Sequence, residues 1–321
     1  MRKNGLHRFT QNTIVGLTTV ILAFAWGCEK DITLDLETGP EKLVVEGHIE
    51  PGYPPYVILT HNVPYFDLTN IDDLEKLFVH GADITIFDGA DTYPLIEYCS
   101  DNMPDSLLSL ASLYLGVEMD DLTNYNFCVY TSAVDSGQLF STLLGDLGKT
   151  YDLVIKVNGK ELTATTTLLY PVPLDSIWFV ERPAKDSLGQ LYITFSDPPT
   201  SGDYYRMFTQ RLQTDAYPIP TSQSLLSDQN INGTAVDLLF ERGNIPGRLD
   251  DNIGFYHVGD TVVVKWCTID FRHYEFWRTA QIEFDNVGNP IATPTQIKTN
   301  IDGGLGIWGA YGAIYDTIII K

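Results

Sequence analysis

Short segments in which apolar and polar residues alternate recur along most of the chain. Alternation with a period of two is typical of β-strands that bury one face and expose the other. Clusters of Gly, Pro, Asn and Asp separate these segments and mark the turns between them. In the first half of the chain the clearest alternating segments are residues 43–49, 56–60, 82–87, 92–97 and 150–157.

The turns between these segments indicate how the first half folds. Asn158-Gly159 separates residues 150–157 from the alternating segment 160–165, and Asn-Gly is a strong signal for a two-residue hairpin. Several short strands joined by such turns favour an antiparallel sandwich of about 100 residues. We therefore predict a mainly β fold in which residues 41–173 form an immunoglobulin-like antiparallel β-sandwich.

One leucine-rich segment, residues 103–127, interrupts this pattern and contains no basic residue. Pro104 lies where a helix would start, so we predict a short helix from Asp105 to Leu115. Two interpretations remain open for the segment. It is either a helical plug over one end of the sandwich or an inserted acidic loop that contacts a partner.

Residues 174–321 are predicted to form a second β-rich domain. Tyr170-Pro171-Val172-Pro173 marks the boundary, because two prolines stiffen the chain and remove strand donors. Residues 213–254 are rich in polar residues, Gly and Pro, and predict long loops that could contact a partner. The remaining pattern predicts strands at residues 191–195, 204–209, 261–267 and 314–320 and a helix at residues 269–284.

The first thirty residues predict export. A basic segment with Arg2, Lys3 and Arg8 precedes an apolar run at residues 14–26, which is the organisation of a secretory signal. The run is shorter than the about 20 apolar residues that a spanning helix needs. Residues 1–27 are therefore predicted to be a signal peptide that is removed.

The end of this signal resembles a bacterial lipobox, in which the cleavage precedes a cysteine that carries lipid. The segment Ala25-Trp26-Gly27-Cys28 has the small residue before the cysteine, although Ala25 replaces the usual leucine. We therefore predict Cys28 as the lipid attachment site and residues 28–40 as an acylated tether. The alternative is an ordinary signal peptide with a chance cysteine. Several acyl chains would anchor the protein to a membrane without a transmembrane helix.

Composition excludes one class of function. Acidic residues outnumber basic ones by 42 to 20, which gives a net charge of -22. A surface with this charge repels nucleic-acid backbones and anionic headgroups, so we exclude nucleic-acid binding. An apolar content of 44% is ample for a packed core.

The cysteines of the exported chain fit an oxidising compartment. Cys99 and Cys128 form either a disulfide or two free buried thiols. Cys267 lies in an alternating segment and is predicted to be a buried strand thiol. No C-x-x-C motif and no histidine at ligand spacing accompanies them, so a zinc site is disfavoured.

The motifs that could carry chemistry are weak. Gly304–Gly309 satisfies G-x-G-x-x-G, but too few residues follow for a dinucleotide-binding unit, so we interpret its glycines as sites of close backbone packing. Trp308 and Tyr311 nearby are either core aromatics or exposed contacts for a partner or a sugar. No nucleophile elbow, zinc helix or P-loop occurs, and we predict no cofactor and no enzymatic activity.

A bound calcium ion is the remaining possibility for a cofactor. Asp250-Asp251-Asn252, or Asp88 together with Asp91, would offer hard oxygen ligands on loops. Neither group follows an EF-hand spacing, and the alternative is that these are solvated acidic turns.

Several stretches together resemble one family of lipoproteins. The family consists of outer-membrane lipoproteins of Bacteroidota that contain a domain of unknown function and are commonly encoded beside TonB-dependent receptors. The resemblance covers nearly all of the mature chain and implies display at the cell surface, a transporter partner and no catalytic residues. The stretches that carry it are the lipobox, Leu43–Gly47, Tyr151–Leu153, Pro171–Ile177, Asp203–Arg206, Gly259–Val262 and Asn300–Tyr311.

Three functions follow as hypotheses. The first is an accessory lipoprotein that docks on a TonB-dependent transporter and helps to capture or admit a ligand. The second is a free-standing adhesion or glycan-binding lipoprotein, and the third is a hydrolase with an unrecognised site. A stable complex with a receptor would favour the first hypothesis, and an exposed aromatic patch would favour the second. Converging carboxylates with shifted pKa values would favour the hydrolase.

Overall fold

The computed structural model describes part of one compact unit, Pro40–Lys321. The predicted signal peptide, the tether, Cys28, Asp250 and Asp251 lie outside the described residues. The side chains of residues 106, 110 and 113–115 are outside the description as well. The described residues are 41–62, 75–101, 103–115, 119–124, 126–132, 143–182, 187–243, 252, 254–286, 289, 293 and 295–321.

The protein is mainly β, as predicted, with 51% of the described residues in strands and 14% in helices. Three α-helices are described: α1 (Asp105–Leu115), α2 (Met119–Asn124) and α3 (Phe271–Asn286). The strands are β1 (Leu43–Ile49), β2 (Tyr56–His61), β3 (Asp83–Phe87), β4 (Thr92–Cys99), β5 (Cys128–Ser132), β6 (Thr150–Val157), β7 (Lys160–Thr167), β8 (Leu174–Glu181), β9 (Leu188–Ser196), β10 (Tyr204–Arg211), β11 (Ile219–Ser227), β12 (Ala235–Phe240), β13 (Tyr256–His257), β14 (Thr261–Ile269), β15 (Leu305–Ala310) and β16 (Gly312–Ile319).

The first sheet has eight strands in the order β15-β1-β2-β5-β4-β3-β6-β7. In β1, β3, β6 and β7 every second side chain is buried, as the alternating pattern predicted, and most of these side chains share one apolar core. The hairpin between β6 and β7 turns at Asn158 and Gly159, which both have a positive φ, as a type I′ turn requires. The hairpin prediction is therefore confirmed.

The first sheet also contains a strand from the predicted second domain. β15 pairs in parallel with β1, whereas all the other described pairs in this sheet are antiparallel. Gly306 allows this close approach, since a Cβ there would lie 1.8 Å from the Val45 carbonyl oxygen. Thr163 and Asp302 exchange two backbone hydrogen bonds of 2.8 and 3.1 Å, so β7 meets the segment that leads into β15.

The two short helices cover the outer face of the first sheet. Leu107, Leu108 and Leu122 of α1 and α2 pack against Tyr56 and Ile58 of β2. The segment 103–127 thus includes a helical pair, and α1 has the predicted bounds.

The remaining strands form two sheets that enclose a second core. One sheet has the order β11-β10-β14-β16, and in the other β9 pairs with β8, β12 and β13. Side chains from both sheets, such as Phe195 of β9, Tyr205 of β10 and Trp266 of β14, are fully buried against each other. Helix α3 packs beside β15 and β10.

One sequence-based prediction about this half is wrong, and one open pair of alternatives is decided. Residues 213–254 are not only loops, because β11 and β12 lie within them. In β11 the four consecutive residues 221–224 are polar and Pro220 precedes them, so the apolar content of this strand resembles that of a loop. For Trp308 and Tyr311 the core alternative is the observed one, since they are 0% and 5% exposed, and the alternative of partner contacts is thereby corrected. The indole of Trp308 donates a hydrogen bond to the Tyr151 carbonyl inside the first core.

Candidate functional site

A groove lies where the loop before β10, the end of β11 and the start of α3 come together. Its volume is about 640 Å³, which is within the range of small-molecule sites. We call it the ligand groove. It is lined by Ser201, Gly202, Tyr204, Ser227, Asp228, Gln229, Asn232, Phe271, Tyr274, Glu275 and Arg278.

Three aromatic rings form the apolar part of the ligand groove. The ring of Tyr204 lies 4.8 Å from the ring of Tyr274 and 5.4 Å from that of Phe271, measured between centroids. Phe271 is 54% exposed although it is the first residue of α3. An exposed ring beside two others costs solvation energy that a ligand with an apolar face would recover.

A bidentate ion pair lies at the other side of the ligand groove. The guanidinium of Arg278 donates hydrogen bonds of 2.7 and 3.2 Å to the two carboxylate oxygens of Glu275. The two residues are one turn apart on α3, so they share a helix face. Arg278 lowers the pKa of Glu275 by this hydrogen bonding, which keeps the carboxylate charged and unsuited to donate a proton.

Three aspartates converge beside the ligand groove, and we call them the acidic cluster. Asp197 and Asp203 begin and end the loop between β9 and β10, and Asp228 follows β11. One carboxylate oxygen of each lies within 4.8 Å of the others. Asp197 and Asp228 are only 5% and 4% exposed.

Hydrogen bonds hold two members of the acidic cluster in place. Asp197 accepts from the Tyr205 hydroxyl at 2.5 Å and from the Gly233 amide at 3.1 Å. Asp228 accepts from the Gly202 amide at 2.6 Å. These donors are neutral, so they leave the charge of the three carboxylates uncompensated.

Asp203 is the member of the acidic cluster whose carboxylate is least well hydrogen-bonded. Its Oδ2 atom is buried and has no hydrogen-bond partner within the described part of the chain. Burial raises the pKa of Asp203, and the neighbouring charges of Asp197 and Asp228 raise it further. Three such carboxylates are the ligand set that a hard cation such as Ca²⁺ prefers. The residues of the cluster therefore fit a metal site chemically.

The aspartates that the sequence suggested for calcium do not form this cluster. Asp88 accepts hydrogen bonds from the Ala90 and Asp91 amides at 3.0 and 2.9 Å and pairs with Lys149 at 2.9 Å. The two amides and the Lys149 ammonium lower the pKa of Asp88 to about 2. Asp88 thus stabilises its own turn and has a cation already.

The cysteines occupy structural positions. Cys99 and Cys128 lie opposite each other in β4 and β5 and are joined by a disulfide. His80 and Glu97 lie close to these sulfur atoms, but bonded cysteines cannot bind a metal as thiolates. Cys267 is a free, buried thiol as predicted, and burial raises its pKa to about 12.

Tyr311 belongs to a buried network of charged and polar residues between the sheets. We define the buried network as Glu50, Arg206, Lys265, His273 and Tyr311. The ammonium of Lys265 contacts the Glu50 carboxylate, and a guanidinium nitrogen of Arg206 donates to the Tyr311 hydroxyl. All five residues are at least nine-tenths buried, so a ligand at the surface does not reach them.

Two more contacts complete the surroundings of the buried network. The guanidinium carbon of Arg206 lies 3.5 Å from the centroid of the Trp277 ring, a close cation–π contact. The Nδ1 atom of His273 lies 3.2 Å from the Ala310 carbonyl oxygen. Burial lowers the pKa of His273 to about 4, so its imidazole is neutral at pH 7.

Sequence reasoning identified neither the ligand groove nor the acidic cluster as a site. The turns at Asp197–Pro199 and Ser201–Asp203, and the aromatic positions of α3, were visible as elements of structure only. Asp228 lies 31 residues after Asp197 and inside the segment predicted as loops. The polar turn Asp228–Asn230 could have indicated a binding loop, but the sequence does not show that this turn lies next to Asp197 and Asp203.

Comparison with known proteins places the chain in a family. The family model described as Domain of unknown function (DUF4249) matches residues 29–313. The chain belongs to this family. The predicted membership of an uncharacterised family is thereby confirmed, while the link of the family to Bacteroidota and TonB-dependent receptors stays a prediction.

Other comparisons add little. No curated protein matches the chain. Among solved structures, the crystal structure of bovine butyrophilin matches with 11% identity over 72% of this chain and 92% of the other, with a TM-score of 0.17. A TM-score this low supports no conclusion about the fold or the function. No helix within the described ranges is both long and apolar enough to cross a membrane.

Proposed function

We propose that this protein is a non-enzymatic surface lipoprotein that captures an extracellular ligand in the ligand groove. The main support for this proposal is the composition of the groove, which combines three aromatic rings with hydrogen-bonding side chains and one ion pair. Such a lining suits a polar organic molecule with one flat apolar face. In this proposal, as in the sequence-based hypothesis, the captured ligand is passed to a TonB-dependent transporter.

The titration behaviour of the acids near the ligand groove supports binding rather than hydrolysis. Glu275 lines the groove but is held as a carboxylate by Arg278. Asp203, whose pKa is raised, does not belong to the lining. A hydrolase that uses two carboxylates needs a protonated acid and a carboxylate on opposite sides of the substrate. The carboxylates of the lining are Glu275 and Asp228, and the acid with the raised pKa, Asp203, lies outside the lining.

The transporter part of the proposal rests on the family resemblance and on the predicted lipid anchor. A tethered protein raises the local concentration of its ligand near a pore without tight intrinsic binding. The alternative is a free-standing adhesion or glycan-binding lipoprotein that uses the same groove.

Native mass spectrometry of the full chain, purified from its own outer membrane in mild detergent, tests the ligand groove. We expect a co-purified small molecule whose affinity falls about fivefold in Tyr274→Ala, with a matching loss of occupancy, because one ring contact is worth about 1 kcal/mol. Tyr274→Phe keeps the ring and should keep the ligand. Equal occupancy in all three proteins would show that the groove does not bind it.

A pull-down from the same membranes through a C-terminal tag tests the partner. A TonB-dependent receptor in one-to-one amount is the expected result. Recovery of the lipoprotein alone in several detergents would contradict the transporter role and leave the adhesion or glycan-binding alternative.

A further inference from the structure

The strands β8, β9 and β12 form a sheet whose second face points away from the core. Inward side chains such as Ile177, Ile193 and Leu238 pack into the second core. The alternate residues of the same strands are partly or fully exposed. We call this surface the outer sheet face and define it by Ser176, Trp178, Tyr192, Thr194, Asp237 and Leu239.

An apolar row crosses the middle of the outer sheet face. Trp178 lies opposite Tyr192, and Tyr192 lies opposite Leu239, so one side chain from each strand forms the row. The rings of Trp178 and Tyr192 stack with 5.6 Å between centroids and 15° between planes. Leu239 is 40% exposed. Trp178 and Tyr192 are partly exposed as well, so the row is accessible from solvent.

A polar row runs beside the apolar row. The Ser176 hydroxyl donates to Thr194 Oγ1 at 3.0 Å, and the Thr194 hydroxyl donates to Asp237 Oδ1 at 2.7 Å. Ser176 and Asp237 are exposed. Same-face neighbours on a strand are two residues apart, or about 6.5 Å, which is close to the width of one sugar ring. The hydrogen bonds fix the direction of each hydroxyl before any ligand arrives.

This juxtaposition matches the two kinds of surface on a pyranose ring. A pyranose has a flat face of C–H groups, which fits an aromatic row, and an edge of hydroxyl groups, which fits a row of oriented acceptors and donors. The three strands contain no basic residue, and Asp175, Glu181 and Asp237 are exposed carboxylates. This charge disfavours sugars that carry acid groups.

We propose that the outer sheet face is a binding site for neutral saccharides. The apolar row stacks against the sugar ring, and Asp237 accepts hydrogen bonds from its hydroxyls. The site is separate from the ligand groove and requires neither the groove ligand nor a transporter, so the two proposals can fail independently.

Isothermal titration of the full chain in mild detergent with maltohexaose, cellohexaose and xylohexaose tests the proposal. We expect at least one of these neutral oligosaccharides to bind, and Trp178→Ala to lower its association constant about tenfold. Trp178→Phe should retain most of the affinity, and Asp237→Asn should lower the association constant about threefold without removing an apolar contact.

Phe87→Ala is the matched control, since Phe87 is an exposed aromatic residue on β3 of another sheet. It should leave the association constant unchanged. Absence of binding to all three oligosaccharides overturns the proposal, and so does binding that Trp178→Ala and Asp237→Asn leave intact. Binding of oligolysine instead of the saccharides would identify a basic peptide as the occupant and also overturn it.

Discussion

The buried network and the acidic cluster both contain carboxylates that are removed from water, but they differ in whether a cation compensates the negative charge. In the buried network Glu50 contacts Lys265 and also accepts a 2.8 Å hydrogen bond from the Tyr315 hydroxyl. In the acidic cluster the donors to Asp197 and Asp228, among the described residues, are all neutral. A buried carboxylate with its own cation is part of the fold, whereas three carboxylates without one are favourable only with a compensating charge or proton.

The positions of the two regions explain this difference. The buried network lies between strands β1, β10 and β14, where residues distant in sequence meet and the Lys265 ammonium contacts the Glu50 carboxylate. The acidic cluster lies on loops beside the ligand groove, where solvent or an ion can approach. Loops held by a rigid scaffold are the usual place for binding residues. The comparison therefore separates charges that stabilise the structure from charges available to a ligand.

The largest effect is expected when the pair in the buried network is broken. Glu50→Gln leaves the Lys265 ammonium buried without its carboxylate, and the free energy of unfolding should fall by about 3–5 kcal/mol. Denaturant titration measures this change. The control is Glu161→Gln, which breaks an exposed pair with Lys156 at 3.8 Å and should cost less than about 1 kcal/mol. Similar losses for both variants would show that burial does not set the strength of the pair.

A pH titration of stability sharpens the comparison at His273. Its pKa is about 4 in the folded protein and about 6.5 in an unfolded chain, so the unfolded state binds more protons between these values. The free energy of unfolding should therefore fall by about 3 kcal/mol as the pH falls from about 6.5 to about 4.

The control for this titration is His273→Gln, which cannot take up the proton. Its stability should depend less on pH in the same window, although the other titrating groups remain. Charges of Asp270, Arg206 and Lys265 also act on His273, and these three residues are the same in both proteins. An identical pH dependence in the two proteins would contradict the assignment.

The smallest change in the free energy of unfolding is expected in the acidic cluster, where a substitution should stabilise the protein instead of destabilising it. Asp203→Asn removes one of three repelling carboxylates, so the free energy of unfolding should rise by about 1 kcal/mol at pH 7 in buffer without divalent cations. Asp88→Asn, which removes a carboxylate paired with Lys149, should lower the stability instead. A loss of stability in Asp203→Asn would contradict the view that the cluster lacks a compensating charge. Repeating the titration with Ca²⁺ sharpens the test, because a bound cation would reverse the sign for Asp203→Asn.

Several elements could be predicted because their causes are local. The turn at Asn158 and Gly159 needs two residues that tolerate a positive φ, and helix α1 starts just after Pro104. Residues 213–254 misled the prediction, because a strand with one exposed face and a loop have similar polar content. Trp308 could be assigned as either core or surface from its neighbours alone.

The sequence by itself determined the alternating strands and the acidic net charge, whereas the bond between Cys99 and Cys128 was one of two open alternatives that the structure decided. The alternation and the net charge depend on residues close together or on composition. Only the tertiary structure decided that β15 pairs with β1, that Tyr311 is buried with Arg206, and that Asp197, Asp203 and Asp228 meet. The reason is physical: strand pairing and sheet packing bring together residues that are distant in sequence, and the alternating pattern that forms a strand does not specify its partner.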